Sequence, residues 1–277
     1  MMPQLFLIAL TSVLTTSCLA AASEPMSREF KLSLDTAQFA QQEAAARTYA
    51  TRFKDLVKLH MGVEAGAEFR QEKARQVRYL DTPGSCKLAR SGYILRERTD
   101  GGKRQLTLKL RHADSAHVMQ ARLAGTDAKS KLEEDVSPPM NGRLSRSASI
   151  RVPQAPTLLG QAAAMFPILA AQGRDDEPLQ TVGALVGMEA VYGIGQWQSQ
   201  GVEWDTDLTF WNDAQGKLLF AEASFRYSVP EQNADQAALA AQRLFLAMQA
   251  DAPWVALSSP TKTEFAYKGA NGAFCTP

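Results

Sequence analysis

The feature that most constrains the fold is a recurring alternation of charged and apolar side chains with a period of two residues. In 29–34, Glu29, Lys31 and Ser33 alternate with Phe30 and two leucines. Successive side chains of a β-strand point to opposite faces, so this pattern predicts a strand with one charged face. The same alternation recurs at 93–98, 106–111, 131–135, 202–207 and 221–226.

A single strand of this kind is typical of an antiparallel sheet whose polar face meets water. Six of them favour a different interpretation, because basic side chains dominate the early strands and carboxylates the later ones. If the sheet closes into a barrel, the charged faces line its interior, where opposite charges, metals, water or a polyanion must compensate them. Helices predicted at 36–59, 156–171 and 231–249 are then available to cover the apolar faces.

A family resemblance rests chiefly on 77–83 (VRYLDTP), 87–98 (KLARSGYILRER) and 106–109 (LTLK). Supporting matches lie at 28–31 (REFK), 131–135 (KLEED) and 259–265 (SPTKTEF). Together these segments resemble the CYTH superfamily of triphosphate tunnel metalloenzymes. The resemblance implies an α+β fold, an eight-stranded antiparallel closed β-barrel with flanking helices.

The resemblance also implies that basic side chains in the tunnel bind a triphosphate and that acidic ones bind Mg²⁺ or Mn²⁺. Guanidinium groups give forked hydrogen bonds to phosphate, and carboxylates are the hard ligands that these metals prefer. The implied phosphate-binding residues are Lys31, Arg96, Arg98, Lys109, Arg111 and Lys262, with Arg78 as a further candidate. The implied metal ligands are Glu29, Glu133, Asp135 and Glu222. Glu29 and Lys31 are also the implied catalytic residues.

Two positions depart from the family pattern. Ser27 stands where the N-terminal motif has its first glutamate, and Ser224 replaces the second member of a later glutamate pair. A neutral hydroxyl is a poorer ligand than a carboxylate, so both changes weaken a divalent site. Two functions stay open: metal-dependent hydrolysis of inorganic triphosphate, polyphosphate or a related triphosphate, and non-catalytic binding of a polyphosphorylated or other anionic ligand.

Residues 1–22 carry no charged side chain, are apolar through 5–14 and end in three alanines. This pattern predicts a secretory signal peptide, followed by a single domain over 23–277. The protein is then expected in the periplasm or outside the cell; a lipid anchor on Cys18 is the alternative. No later segment predicts a membrane span.

Export would leave Cys86 and Cys275, either as one disulfide or as two independent thiols. The formal net charge of +1 gives no global field for nucleic acid. The partner that the resemblance implies is a small polyanion. The sequence leaves the oligomeric state open.

Overall fold

The computed structural model describes residues 26–125, 128–258 and 260–268. Its strands are β1 (Met26–Leu34), β2 (Arg70–Asp81), β3 (Tyr93–Asp100), β4 (Lys103–Arg111), β5 (Lys129–Ser137), β6 (Asn141–Val152), β7 (Gln180–Thr181), β8 (Gly187–Ser199), β9 (Val202–Asn212) and β10 (Leu218–Ser228). Within the described residues, nine of these strands close a barrel in the order β2–β3–β4–β6–β5–β1–β10–β9–β8 and back to β2. The short β7 pairs with β2 outside this ring.

The barrel is mixed, so the prediction of eight antiparallel strands is wrong in both number and direction. Neighbouring strands run antiparallel except β1 and β5, which are parallel. The parallel pair arises because β6, which follows β5 in the chain, inserts between β4 and β5 in the barrel. The other edge of β5 then lies against β1, and both strands run in the same direction.

The helices are α1 (Gln42–Met61), α2 (Lys87–Arg90), α3 (Ser115–Gln120), α4 (Leu159–Met165), α5 (Ala234–Ala250) and α6 (Lys262–Lys268), with 3-10 turns at Thr36–Phe39, Pro167–Ala171 and Val182–Ala184. The helix predicted at 36–59 is divided, because a 3-10 turn precedes α1. The helix predicted at 156–171 also divides, since Pro167 has no backbone N–H to continue α4. Helix α5 lies within about three residues of its predicted start.

The apolar faces of the strands point outward and lie under the helices. Phe30 of β1 stacks on Phe225 of β10 at 4.7 Å between ring centroids, and Phe245 of α5 packs edge-on against Phe30 at 5.3 Å. On another side of the barrel, α4 and the turn after it cover the outward leucines of β3 and β4. The main hydrophobic core is therefore outside the barrel, which leaves the interior to the charged faces.

Helix α6 and an aromatic cluster fill one end of the barrel interior. Tyr267 of α6 is fully buried, and its ring lies 5.8 Å from that of Tyr79 on β2. Trp211, near the end of β9, also packs against Tyr79, with 6.1 Å between the ring centroids. Asp81 fixes the nearby chain by accepting backbone hydrogen bonds of 3.0 Å from Leu88 and from the residue after it. The charged part of the interior is thus closed at this end.

Among the residues with described structure, no helix combines the length and the apolar character that a bilayer crossing requires. The predicted signal peptide and Cys18 lie outside the described residues. Cys86 is disulfide-bonded, and Cys275, the partner suggested by the sequence, also lies outside the described residues.

Candidate functional site

The interior of the barrel holds a cavity of about 460 Å³. Among the described residues, its basic lining side chains are Lys31, Lys73, Arg75, Arg96, Arg98, Lys109, Lys129, Lys131, Arg226 and Lys262. The acidic ones are Glu29, Glu133 and Asp207. This excess of cations in a partly enclosed space favours an anionic ligand.

One wall of the cavity carries two arginines that are short of counter-charge. Arg96 and Arg98 project inward from β3, and within the described part of the chain the Nε atom of each is buried without a hydrogen-bond partner. The nearest carboxylate to Arg98 is that of Glu189, with 3.5 Å between Nη2 and Oε1. Burial, with the charge of Arg96 beside it, lowers the pKa of the Arg98 guanidinium. A ligand that brings negative charge would relieve both effects.

Glu189 is shared among several donors and is therefore a weak counter-ion for Arg98. Arg75 of β2 donates to it at 2.5 Å, and Trp211 Nε1 donates at 2.9 Å. Burial opposes ionisation of Glu189, but Arg98, Lys262 and Arg75 outweigh it and hold the pKa of the carboxyl well below its usual range. Arg75 and Glu189 belong to this site but were not predicted from the sequence.

The opposite wall carries a carboxylate cluster formed by Glu29, Glu133 and Asp135. One carboxylate oxygen of each lies within 4.8 Å of the others. The three come together because β1 and β5 are neighbours, with Glu29 directly opposite Asp135 in the register. The prediction placed Glu222 in the same set, but Glu222 lies 2.8 Å from Lys262 Nζ instead.

Basic side chains bind every member of the carboxylate cluster. Lys31 Nζ lies 2.9 Å from Glu29 and also bonds Asp135. Lys109 Nζ lies 2.5 Å from Asp135 and 3.4 Å from Glu133. Two further cations complete the set, Arg111 at 2.9 Å from Asp135 and Lys131 on Glu133.

The pKa values in this cluster follow from burial and from these pairs. Burial disfavours the ionised form of Asp135, yet Lys109, Lys31 and Arg111 hold the pKa of its carboxyl well below its usual range. Burial likewise opposes the charge of Lys31, but the carboxylates around it raise its pKa. For Lys109, burial and the repulsion from Arg111 and Lys31 together outweigh the attraction of Asp135, and they lower the pKa of the ammonium group to about 8.

The carboxylate cluster has the donor atoms of a divalent-metal site, but its negative charges are already neutralised by lysines. Carboxylate oxygens are the ligands that Mg²⁺ and Mn²⁺ prefer. Each carboxylate is already paired with a lysine, and Lys31 Nζ stands between Glu29 and Asp135. The neighbouring positions Ser27 and Ser224 offer neutral hydroxyls. The residues present therefore fit ammonium groups and do not fit a divalent ion.

The structure brings the predicted site residues into one interior. Glu29, Lys31, Arg96, Arg98, Lys109, Glu133 and Lys262 line the cavity. Asp135, Arg111 and Glu222 each contact one of those residues or its partner. Arg78 does not join them: its side chain bonds Glu97 at 2.5 Å on the outward face of β2 and β3.

No protein-family model matches the sequence, and no curated protein matches it either. Among solved structures, the chain is similar to a protein from Hippeastrum that is described as an adenylyl cyclase with a dominant triphosphatase activity. The two are 14% identical with a TM-score of 0.43, and the match covers 85% of this chain and 92% of that one. A protein from Bacillus halodurans whose description names an adenylate cyclase is 12% identical, with a TM-score of 0.41, over 88% and 99%. Another such protein, from Vibrio parahaemolyticus, is 13% identical with a TM-score of 0.36, over 84% and 93%.

Proposed function

We propose that the protein is a divergent CYTH-like tunnel protein that binds inorganic triphosphate, polyphosphate or a related polyphosphorylated anion inside its barrel. The observation that carries this proposal is the pair Arg96 and Arg98, whose buried Nε atoms lack partners in the described chain. A buried N–H that is left unpaired is costly, so such groups in a cavity indicate a missing acceptor. Phosphate oxygens are acceptors of the required charge and geometry.

The lining around the two arginines supports a ligand with several phosphate groups. Lys262 and Lys109 line the same cavity, and so does Lys73 from β2. A single phosphate is compact, whereas these cations project from β2, β3, β4 and α6. A chain of phosphates spreads its charge along the tunnel and neutralises them together.

The closed end sets the direction from which such a ligand enters. Helix α6 and Tyr267 fill the barrel beyond Lys262, whereas Lys129 and Lys131 lie on the first residues of β5, toward the opposite end. A linear polyanion is therefore expected to enter past β5 with one terminus leading.

Metal-dependent hydrolysis of the same anion is the second candidate, and the close approach of the three carboxylates favours it. This candidate requires Lys31 and Lys109 to leave the carboxylates. Phosphate release from tripolyphosphate with Mg²⁺ or Mn²⁺ separates it from binding alone.

Calorimetry of tripolyphosphate binding in EDTA tests the proposed function, with inorganic phosphate and sulfate as comparison anions. We expect one site per chain and an affinity at least about a hundredfold above that for inorganic phosphate, since several charge-assisted contacts are gained together. Equal affinity for the three anions would contradict a polyphosphate site.

Export is a separate part of the proposal and is supported by the composition of residues 1–22. We propose cleavage after Ala22 and function in the periplasm or outside the cell as a single domain over 23–277. Mass spectrometry of the protein recovered from its source cells tests this, because it reads the mature N-terminus directly.

A further inference from the structure

We infer that the carboxylate cluster is a built-in counter-ion that positions Lys31, Lys109 and Arg111, and that the tunnel binds its anion without a divalent metal. The inference rests on the proposed function and assigns these acidic residues a positioning role. Three lines of observation carry it: the contacts that the carboxylates already make, the side chains beside them and the local charge balance.

The contacts show that ammonium groups occupy the space between the carboxylates. Lys31 Nζ bonds both Glu29 and Asp135, and Lys109 Nζ bonds both Asp135 and Glu133. A metal coordinated by the cluster would have to displace both lysines from inside the barrel. Each displaced lysine would then lose its buried counter-ion, which is a strongly unfavourable change.

Two positions directly beside the cluster, Ser27 and Ser224, supply no negative charge, and the next carboxylate on β10, Glu222, is paired with Lys262. In the strand register Ser27 lies opposite Glu133, and Ser224 lies opposite Lys31. These are the two positions at which the family pattern places carboxylates. Ser27 Oγ is buried and has no hydrogen-bond partner within the described residues. A hydroxyl adds an uncharged donor atom, so it does not replace the lost charge.

The charge balance gives the third reason. Three carboxylates face the four cations Lys31, Lys109, Arg111 and Lys131, so the group is already positive by one charge. A divalent ion would add two more positive charges to a partly desolvated site, where Coulomb repulsion is stronger than in water. A polyanion reduces the same excess. The arrangement therefore selects the anion and rejects the metal.

Electron paramagnetic resonance of Mn²⁺ added to the whole protein without phosphate tests the metal part. We expect the spectrum of free Mn²⁺ to keep its full intensity at one equivalent, for wild type and for Glu29→Gln alike. Glu203→Gln, at an exposed carboxylate of β9, is the matched control. Loss of signal from one equivalent in wild type, reversed by Glu29→Gln and not by the control, would overturn the inference.

The positioning role is tested by tripolyphosphate binding in EDTA and in excess Mg²⁺. We expect the affinity in Mg²⁺ to be no tighter than in EDTA, within about threefold. We also expect Glu29→Gln to show a larger rise in Tm on adding tripolyphosphate than wild type, because Lys31 then keeps only Asp135 as a counter-ion and gains more from the anion. Affinity about tenfold tighter in Mg²⁺, lost in Glu29→Gln, would contradict the inference. Absence of tripolyphosphate binding in every condition would refute the proposed function, whereas the Mn²⁺ spectra would still decide the metal question.

Discussion

The two walls of the tunnel treat buried positive charge in opposite ways. In the part of the chain that the structure describes, the arginine wall (Arg96 and Arg98 on β3) has one ion pair, between Arg98 and Glu189, and Glu189 is shared with other donors. The lysine wall, Lys31 and Lys109 with their carboxylate cluster, has an internal anion for each cation. The comparison teaches that a closed barrel stabilises cations for which it supplies partners. Cations without partners indicate where a ligand belongs.

Removing the arginine wall should have the largest effect on binding. In the double variant Arg96→Ala/Arg98→Ala, two charge-assisted contacts of about 1.5–3 kcal/mol each are lost. We expect the tripolyphosphate affinity to fall at least about a hundredfold, measured by calorimetry in EDTA. The matched control Arg70→Ala/Arg174→Ala removes the same two charges from arginines whose side chains are 73% and 82% exposed, and it should leave the affinity unchanged. Equal losses in both proteins would show that only net charge matters.

Breaking the lysine wall should instead lower the stability of the unliganded protein. Asp135→Asn leaves Lys31, Lys109 and Arg111 without their shared carboxylate, at an expected cost of about 3–5 kcal/mol in the free energy of unfolding. Arg96→Met leaves no carboxylate unpaired and should be as stable as wild type or more so. Urea denaturation of the two variants measures both values. A greater loss in Arg96→Met than in Asp135→Asn would reverse the comparison.

The pH dependence of binding should come from Lys109. Its pKa of about 8 in the free protein means that the ammonium group loses its proton as pH rises through that value. A bound polyanion raises this pKa, so above pH 8 binding is coupled to the uptake of a proton by Lys109. The binding free energy therefore has its full value below pH 8 and becomes less favourable as the pH rises above 8. We expect about tenfold weaker affinity at pH 9.5 than at pH 7, from the loss of one charge-assisted contact.

Lys109→Arg is the matched control for this dependence, because guanidinium keeps its charge over the whole range. Its affinity should change much less between the two pH values. A pH profile identical to that of wild type would assign the titration to another group.

Exposed cations near the open end should contribute least. Lys129, at the start of β5, lines the cavity but is exposed to solvent. Water and salt screen such a charge, so Lys129→Ala should weaken tripolyphosphate binding by less than about fivefold, equivalent to about 1 kcal/mol or less. A loss as large as that of the double arginine variant would show that the ligand binds at the mouth and not in the interior.

Apart from Arg78, the sequence alone predicted which of its candidate side chains face the tunnel, because alternation within one strand is a local property. Glu29, Arg96, Arg98 and Lys109 line the cavity as expected, and Arg111 reaches Asp135 beside it. The departures at Ser27 and Ser224 were also visible in the sequence, because the family motifs that it resembles have glutamates at both positions.

What the sequence could not predict depends on register and strand order. In β6, Ser145, Ser147 and Ser149 alternate with other side chains, so the part of the face that they occupy is uncharged and gives no sign of a tunnel strand. The insertion of β6 next to β5 is what leaves β1 and β5 as parallel neighbours. That pairing selects Glu29 as the neighbour of Asp135 and leaves Glu222 with Lys262. The depth of a residue along a barrel is set by its neighbours, so no single strand contains this information.

A crystal structure with tripolyphosphate, grown in EDTA, would show directly whether the anion binds at the arginine wall. We expect phosphate oxygens within hydrogen-bond distance of the Nε atoms of Arg96 and Arg98, with Lys31 and Lys109 still bonded to the carboxylate cluster. The anion bound outside the barrel, or both arginines left without a phosphate contact, would contradict this expectation.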